Sequence, residues 1–217
     1  MKKAILWDLD GTLLYTLPDI AAASNATLRH FGLPERKLEE FYAFVGNGAR
    51  HQIRSAIGYE PENFEEICAW YKAYYALHSA DTSRPYEGIQ ALTEQLRKEG
   101  YLQAIVTNKP HNATLPLWKQ WFPEFDLALG ESPERPRKPY PDMVDHTLKL
   151  LGVEKENAVY VGDSEVDVLT ARNAGLPCIA LTWGYRSREV LLEAGATHLC
   201  QKPEDFMGIL EEVFYAK

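Results

Sequence analysis

The chain has 217 residues, which is more than one average domain but short of two, so we expect one domain that carries an insertion. Hydrophobic residues make up 46% and charged residues 25%, a balance that excludes disordered, collagen-like and coiled-coil classes. The net charge of −8 argues against binding to nucleic acid, because neutralising phosphates requires an excess of Lys and Arg on one face.

Cysteine usage and hydropathy predict the cellular compartment. Cys68, Cys178 and Cys200 are too few and too scattered for a disulfide framework or a CxxC zinc site, so we interpret them as reduced thiols. The apolar run near the N-terminus ends at Asp8, which makes it too short for a signal peptide, and no stretch reaches the length of a membrane span. We therefore expect a cytoplasmic protein without a membrane partner.

Short apolar runs recur along the chain, and each ends abruptly at a polar residue or a glycine. This pattern is typical of strands that are buried on both faces of a parallel sheet. The predicted strands are residues 4–7, 102–106, 127–129, 158–161 and 178–181. Helical patterns that end at Gly100, Gly152 and Gly175 lie between most of them. The alternation of strand and helix predicts a doubly wound α/β fold around a parallel sheet.

Residues 16–84 interrupt this alternation, because they carry helical patterns and no convincing strand. One helix is predicted to begin at Pro18, and an apolar face from Phe64 to Tyr75 predicts another. The predicted domains are a helical cap of residues 16–84, inserted after the first strand, and an α/β core of residues 1–15 and 85–217.

Ligands of open parallel sheets bind beyond the carboxyl ends of the strands, so the polar residues at those ends should converge. These residues are Asp8, Asp10, Thr107, Asn108, Asp163 and Asp167, with Lys138 on the loop that enters the helix before the fourth strand. Several carboxylates at one edge require a cation, and hard oxygen ligands suit Mg²⁺ better than zinc or copper. A lysine and a hydroxyl beside a metal indicate a phosphate site.

The polar residues fall into four ordered motifs that resemble those of the haloacid-dehalogenase-like superfamily. The motifs are Asp8-Leu9-Asp10-Gly11-Thr12, Thr107-Asn108-Lys109, Lys138-Pro139 and Gly162-Asp163-Ser164-Glu165-Val166-Asp167. The insertion after the first motif, with residues 45–50 inside it and residues 85–88 at its return, is similar to the cap of the phosphoglycolate-phosphatase-like branch. The resemblance covers essentially the whole chain.

The resemblance implies a role for each matched residue. Asp8 would be the nucleophile that forms an aspartyl-phosphate, and Asp10 would act as general acid and then as general base. Thr107 and the backbone amide of Asn108 would hold phosphoryl oxygens, while Lys138 would neutralise charge on the phosphate and on Asp8. The implied Mg²⁺ ligands are Asp8, the backbone carbonyl of Asp10, and Asp163, with Asp167 nearby as an outer support.

Two features of the predicted cap bear on substrate choice. Arg50, with Asn47 or His51, occupies a position that resembles the family's substrate-covering loop, so Arg50 is a candidate for binding a substrate carboxylate, with a surface salt bridge as the alternative. After the first motif, Tyr15-Thr16 stands where the family commonly has Asp-Ser, a departure that affects the expected hinge behaviour and substrate preference.

The sequence predicts a Mg²⁺-dependent phosphatase of a small phosphorylated metabolite, and the resemblance favours phosphoglycolate. A sugar-phosphate mutase, a pyrophosphatase and a nucleotidase are alternatives on the same scaffold, whereas a dehalogenase needs neither Asp10 nor a metal. An alternative of a different class is a regulatory protein that binds phosphate without turnover.

Overall fold

A computed structural model describes residues 2–215 and contains a six-stranded sheet in which every neighbouring pair of strands is parallel. The strands in chain order are β1 Ala4–Trp7, β2 Leu14–Tyr15, β3 Arg84–Pro85, β4 Leu102–Pro110, β5 Leu127–Glu131, β6 Ala158–Gly162, β7 Cys178–Leu181 and β8 His198–Cys200. The order across the large sheet is β5-β4-β1-β6-β7-β8, while β2 and β3 form a separate antiparallel ribbon.

Helices cover both faces of the sheet and fill the segment between β2 and β3. In chain order they are α1 Leu17–His30, α2 Phe41–Phe44, α3 Gly48–Ile57, α4 Phe64–His78, α5 Ile89–Lys98, α6 His111–Trp121, α7 Asp142–Leu151, α8 Glu165–Ala174, α9 Arg188–Glu193 and α10 Phe206–Tyr215. Glycines in the left-handed region end α7 and α8, where a side chain would be strained.

Strand β1 runs through the middle of the sheet and is fully buried, which explains its uninterrupted apolar sequence. Ile5 and Trp7 point into one hydrophobic cluster, while Ala4 and Leu6 point into another on the opposite face. Because successive side chains of a strand alternate between faces, one apolar run supplies two cores. Strand β1 itself therefore carries no polar side chain, and Asp8 follows it directly.

Helices α1, α3 and α4 and the short α2 bury a third hydrophobic cluster, which includes Leu17, Phe41, Ile53 and Tyr71. The two connections between this helical segment and the α/β part lie side by side, because β2 and β3 pair as an antiparallel ribbon. This helical cluster supports the predicted division at residues 15/16 and 84/85, which stays a prediction. Residue 1 and residues 216–217, at the outer ends of the predicted core domain, lie outside the described residues.

The doubly wound α/β fold is confirmed, and all five predicted strands are present. The second of them continues to Pro110, so Thr107 and Asn108 lie inside β4 rather than after it. The sequence analysis missed β8, which has only three residues and includes the polar His198. No helix among residues 2–215 is long and apolar enough to cross a membrane, and the three cysteines are free and buried.

Candidate active site

A cavity opens beyond the carboxyl ends of β1, β4 and β6, and both the α/β part and the helical segment line it. Among its lining residues are Asp8, Asp10, Thr107, Asn108, Lys138 and Asp163. These side chains come from positions up to 155 residues apart in the sequence and meet because parallel strands end at the same edge. Asp167 is completely buried behind this group.

Lys138 bridges the carboxylates of Asp8 and Asp167. Its Nζ lies 2.7 Å from Asp8 Oδ1 and 2.7 Å from Asp167 Oδ1, and it also donates to the hydroxyl of Tyr160 at 3.0 Å. All three N–H groups of the ammonium are therefore used. The other carboxylate oxygen of Asp8, Oδ2, has no hydrogen-bond partner among the described residues, which leaves it available to a ligand.

Asp163 is held by the loop after β1 and the loop after β7. The hydroxyl of Thr12 donates to its Oδ1 at 2.8 Å, and the backbone N–H of Tyr185 donates to its Oδ2 at 2.7 Å. Gly11 and Gly184 make this approach possible, since a Cβ on either would lie within 2.4 Å of an Asp163 side-chain atom. Gly11 also has a φ of +90°, which L side chains rarely adopt.

Asp167 has its oxygens fully engaged. Its Oδ2 accepts from the backbone N–H of Ser164 at 3.0 Å and from the Ser164 hydroxyl at 2.6 Å, and its Oδ1 faces Lys138. These contacts form a capping box at the start of α8. Asp167 is therefore built to hold Lys138 and the loop after β6 in place.

Burial and like charge both act on the pKa values of this group. Burial raises the pKa of Asp8 to about 6, with Asp167 and Asp10 adding to the shift and Lys138 opposing it. Burial, with the charges of Asp167 and Asp8, raises the pKa of Asp163 well above its usual value. Three carboxylates this close are costly to ionise together, so a cation at their centre would stabilise the site.

Carboxylate oxygens of Asp8, Asp163 and Asp167 lie within 4.8 Å of one another, the spacing of a candidate metal site. Because the oxygens of Asp167 already have donors, the carboxylates of Asp8 and Asp163 are the better ligands. The backbone carbonyl of Asp10 accepts no hydrogen bond within residues 2–215 and is a further candidate. Such an all-oxygen set suits Mg²⁺.

The side chain of Asp10 is held by partners outside this cluster. Its Oδ1 accepts from the hydroxyl of Thr16 at 2.7 Å and from Nζ of Lys109 at 2.9 Å. Its Oδ2 has no partner among the described residues and remains able to exchange a proton with a bound molecule. Thr16 thus supplies a hydroxyl at the position where the sequence departs from the family pattern, and its backbone N–H donates to the Tyr185 hydroxyl.

Thr107 and Asn108 reach the cavity from β4. The Asn108 amide nitrogen donates to the carbonyls of Gly46 and Lys138, each at 3.1 Å, and its Oδ1 accepts from the Lys138 backbone N–H at 2.8 Å. The Asn108 side chain therefore positions two loops. Because its side chain is engaged in this way, the group of Asn108 that is predicted to bind a phosphoryl oxygen is its backbone amide, next to the buried Thr107.

The structure does not bring Arg50 to the cavity. Its guanidinium is exposed, pairs with Glu60 at 3.2 Å and with Glu65, and lies over the Phe64 ring. The surface salt bridge, the alternative interpretation, is what is observed. Helical geometry gives the reason, because Ala49 and Gln52 line the cavity and Arg50 points from another side of α3. Asn47 and His51 are likewise absent from the lining residues.

Arg186, on the loop after β7, was missed by the sequence analysis and connects the two parts of the molecule. Its Nε donates to Glu165 at 2.8 Å, and its terminal nitrogens donate to the carbonyls of Tyr42 and, at 2.7 Å, Val45. A lone arginine between two apolar segments carries no sequence signal for such a role. These bonds hold the loop before α3 against the cavity.

Replacing Arg186 by Ala is expected to raise KM and to lower kcat/KM by about 10- to 100-fold, because closure over a substrate loses its charged hydrogen bonds. Steady-state kinetics of the phosphate release that the sequence predicts measures the effect. Arg188→Ala, two residues along and exposed, is the matched control and should leave kinetics unchanged. Equal kinetics in both variants would contradict a holding role for Arg186.

Comparison with known proteins identifies the class to which this fold and site belong. The family model of the haloacid dehalogenase-like hydrolases matches residues 5–181. The chain belongs to the haloacid dehalogenase-like hydrolase family.

Relatives of known name point to one branch of that family. A "Phosphoglycolate phosphatase 1" from Pseudomonas aeruginosa is 32% identical, over 98% of this chain and 81% of its own. A phosphoglycolate phosphatase from Rhodobacter capsulatus is 36% identical, over 86% of this chain and 87% of its own. A solved structure from Lactobacillus delbrueckii subsp. bulgaricus, with a provisional assignment as a phosphoglycolate phosphatase, is 34% identical, covers 100% of both chains and superposes with a TM-score of 0.88. The predicted resemblance to the phosphoglycolate-phosphatase-like branch is confirmed.

Proposed function

We propose that this protein is a Mg²⁺-dependent phosphatase that hydrolyses 2-phosphoglycolate through an aspartyl-phosphate on Asp8. The observation that carries the proposal is a pair of carboxylate oxygens, Asp8 Oδ2 and Asp10 Oδ2, which have no partner within residues 2–215 and belong to residues that line the same cavity. The Asp8 oxygen can attack phosphorus, and the Asp10 oxygen can give a proton to the ester oxygen. The names of the curated relatives support the choice of substrate.

The first half of the reaction needs a nucleophile and an acid. An oxygen of Asp8 attacks phosphorus, the bond from phosphorus to the ester oxygen breaks, and Asp10 gives its proton to that oxygen. Lys138, held by Asp167, offsets the negative charge on the transferring group. Thr107 and the backbone amide of Asn108 complete the cradle for the phosphoryl oxygens.

In the second half Asp10 works as a base. A water molecule attacks phosphorus, Asp10 accepts its proton, and the bond to Asp8 breaks to release inorganic phosphate. Thr16 and Lys109 hold one oxygen of Asp10 in place throughout, so the other stays aimed at the reacting group. This positioning allows one carboxyl group to act twice.

The donor set at the cavity fits a magnesium ion. Asp8, the backbone carbonyl of Asp10, and Asp163 would hold it, with Asp167 as outer support. When bound, Mg²⁺ offsets the charge of the carboxylates and of the phosphoryl group. The raised pKa values of Asp8 and Asp163 without metal support this assignment, because both groups are poorly solvated as anions.

The helical segment of residues 16–84 serves as a cap in this proposal. Residues of this segment and of the α/β part line the cavity together, and small-molecule sites commonly lie between two parts of a protein. Gly46, Gly48 and Ala49 close it from the cap side, held there by Arg186 and Asn108. A small substrate can be enclosed, and bulk water is kept from the aspartyl-phosphate. A cytoplasmic location agrees with three free thiols.

Phosphate release from 2-phosphoglycolate and from p-nitrophenyl phosphate, with Mg²⁺ and with EDTA, tests the proposal. We expect Mg²⁺-dependent release from both, and the highest kcat/KM for 2-phosphoglycolate in a panel with glucose 6-phosphate, pyrophosphate and a nucleoside monophosphate. Full activity in EDTA would contradict the metal assignment. A higher kcat/KM for another panel member would assign the corresponding activity, and no release from any ester would favour a phosphate-binding regulatory protein.

A further inference from the structure

The cations that line the cavity differ in how many of their N–H groups are already used. Lys138 donates all three, to Asp8, Asp167 and Tyr160. Arg186 donates from each guanidinium nitrogen, using three of its five N–H groups, to Glu165 and to two backbone carbonyls. Lys138 therefore has no N–H left for a ligand, and each of these two cations is held by three hydrogen bonds.

Lys109 is the exception. Its side chain is 1% exposed, and its Nζ lies 2.9 Å from Asp10 Oδ1 and also donates to the hydroxyl of Tyr75. Its third N–H has no acceptor within residues 2–215. A buried ammonium is costly unless its hydrogen bonds are made, so a third anionic or polar partner at this wall of the cavity would be stabilising.

The position of Lys109 relative to Asp10 indicates which part of a substrate it meets. Asp10 must lie within a hydrogen bond, about 2.8 Å, of the ester oxygen that it protonates. Because Nζ of Lys109 is 2.9 Å from Oδ1 of Asp10 and the proton is transferred from Oδ2 of the same carboxylate, the ammonium lies within roughly 8 Å of the ester oxygen. A carboxylate one carbon from the ester oxygen fits this separation.

The start of α3, which also lines the cavity, favours an anion as Lys109 does. Gly48 and Ala49, in the first turn of α3, line the cavity, and the preceding Asn47 makes no side-chain cap. The first N–H groups of a helix lack intrahelical partners and carry a partial positive charge, so they favour an anion. The start of α3 therefore adds to the attraction that Lys109 exerts on an anion.

We propose that Lys109, positioned by Tyr75, is a specificity-determining residue that binds the carboxylate of a phosphorylated 2-hydroxy acid. The inference rests on the proposed phosphatase activity and assigns to Lys109 the role that the sequence suggested for Arg50. Neutral phosphate esters of the same length lack the group that Lys109 binds. The site therefore selects acids over alcohols.

The wild-type enzyme provides the first test, with 2-phosphoglycolate and 2-hydroxyethyl phosphate, which differ only in carboxylate against hydroxymethyl. We expect kcat/KM to favour the acid by about 10- to 100-fold, the range of a hydrogen bond to a charged group. A ratio near one, with both esters hydrolysed, would overturn the role of Lys109 and leave the phosphatase proposal intact. Hydrolysis of neither ester nor of p-nitrophenyl phosphate would overturn both.

Lys109→Met provides the second test, because it keeps the length of the side chain and removes the charge. We expect kcat to fall for both esters, because Lys109 also holds Asp10. For 2-phosphoglycolate we expect in addition a rise in KM and a further fall of about 10- to 100-fold in kcat/KM relative to 2-hydroxyethyl phosphate. An equal fall in kcat/KM for both esters would show that Lys109 acts only on Asp10, which would overturn the proposal.

Three further variants control this test. Lys109→Arg keeps the charge and should retain most of the preference for the acid. Tyr75→Phe removes the hydroxyl that contacts Lys109 and should weaken the same preference by a smaller factor. Lys119→Met, on the exposed side of α6, should change neither ester. If Lys109→Met does not fold, the ratio of kcat/KM for the two esters, measured in Tyr75→Phe and in the wild type, still decides whether Lys109 binds the carboxylate.

Discussion

Replacing Asp8 by Asn is expected to lower phosphate release from 2-phosphoglycolate by at least about 10⁴-fold, because the amide cannot form the acyl-phosphate bond. The variant keeps the shape of the site and the contact to Lys138, so substrate binding should persist. Steady-state release of inorganic phosphate measures the loss. Asp142→Asn, an exposed carboxylate at the start of α7, is the control and should retain full activity. Substantial activity in Asp8→Asn would remove the nucleophile assignment.

The same variant is expected to show that the negative charge of Asp8 lowers the stability of the metal-free fold. Without metal, burial raises the pKa of Asp8 from 3.8 to about 6. The ionised group therefore destabilises the fold fully above pH about 6 and not at all below pH about 4. Metal-free Asp8→Asn should have a Tm equal to or above that of wild type at pH 7.5. The difference should shrink as the pH falls towards 5, and a growing difference would contradict this account.

Replacing Lys138 by Met is expected to remove both activity and stability. Asp167 and Asp8 raise the pKa of Lys138 well above its usual value despite its burial, so it is charged at neutral pH. Its loss leaves Asp8 and the fully buried Asp167 without their cation, which typically costs about 3–5 kcal/mol. Turnover should fall by at least about 10²-fold, because a preorganised positive charge beside the phosphoryl group and its nucleophile is gone.

A double variant separates these two effects. In Lys138→Met with Asp167→Asn, one of the unpaired buried charges is also removed, so chemical denaturation should show part of the lost stability restored. Activity should stay low, because Lys138 is still missing from the cavity. Exposed Lys98→Met is the control for loss of a lysine on a helix. Recovery of activity in the double variant would mean that Lys138 acts only as a structural partner of Asp167.

The motif residues were predictable because their chemistry is tied to the ends of strands. Asp8 and Asp163 follow strands, Thr107 follows the apolar run of β4, and Lys138 precedes α7; all four line the cavity. Their roles in the reaction stay predictions. The predicted strand of residues 102–106 is shorter than β4, which continues to Pro110. The reason is that residues 107–109 of β4 are polar and so do not extend the apolar pattern.

The cap residues were not predictable in the same way. Arg50 was singled out by its position in a loop, but which side of α3 it occupies depends on where that helix begins and how it packs. Lys109 and Tyr75 come from a strand and a helix 34 residues apart and meet only in the folded chain. Arg186 contacts backbone carbonyls, a kind of partner that leaves no trace in side-chain types.

The sequence by itself determined the α/β architecture, the helical insertion and the set of carboxylates at the sheet edge, because hydrophobic periodicity and strand ends are local properties. Tertiary structure alone decided which charges are neutralised within the protein and which remain free for a ligand. That distinction depends on hydrogen bonds between distant segments. Lys138 and Lys109 are both buried lysines at the same cavity, and only their neighbours show that the first is fully engaged and the second has a donor to offer.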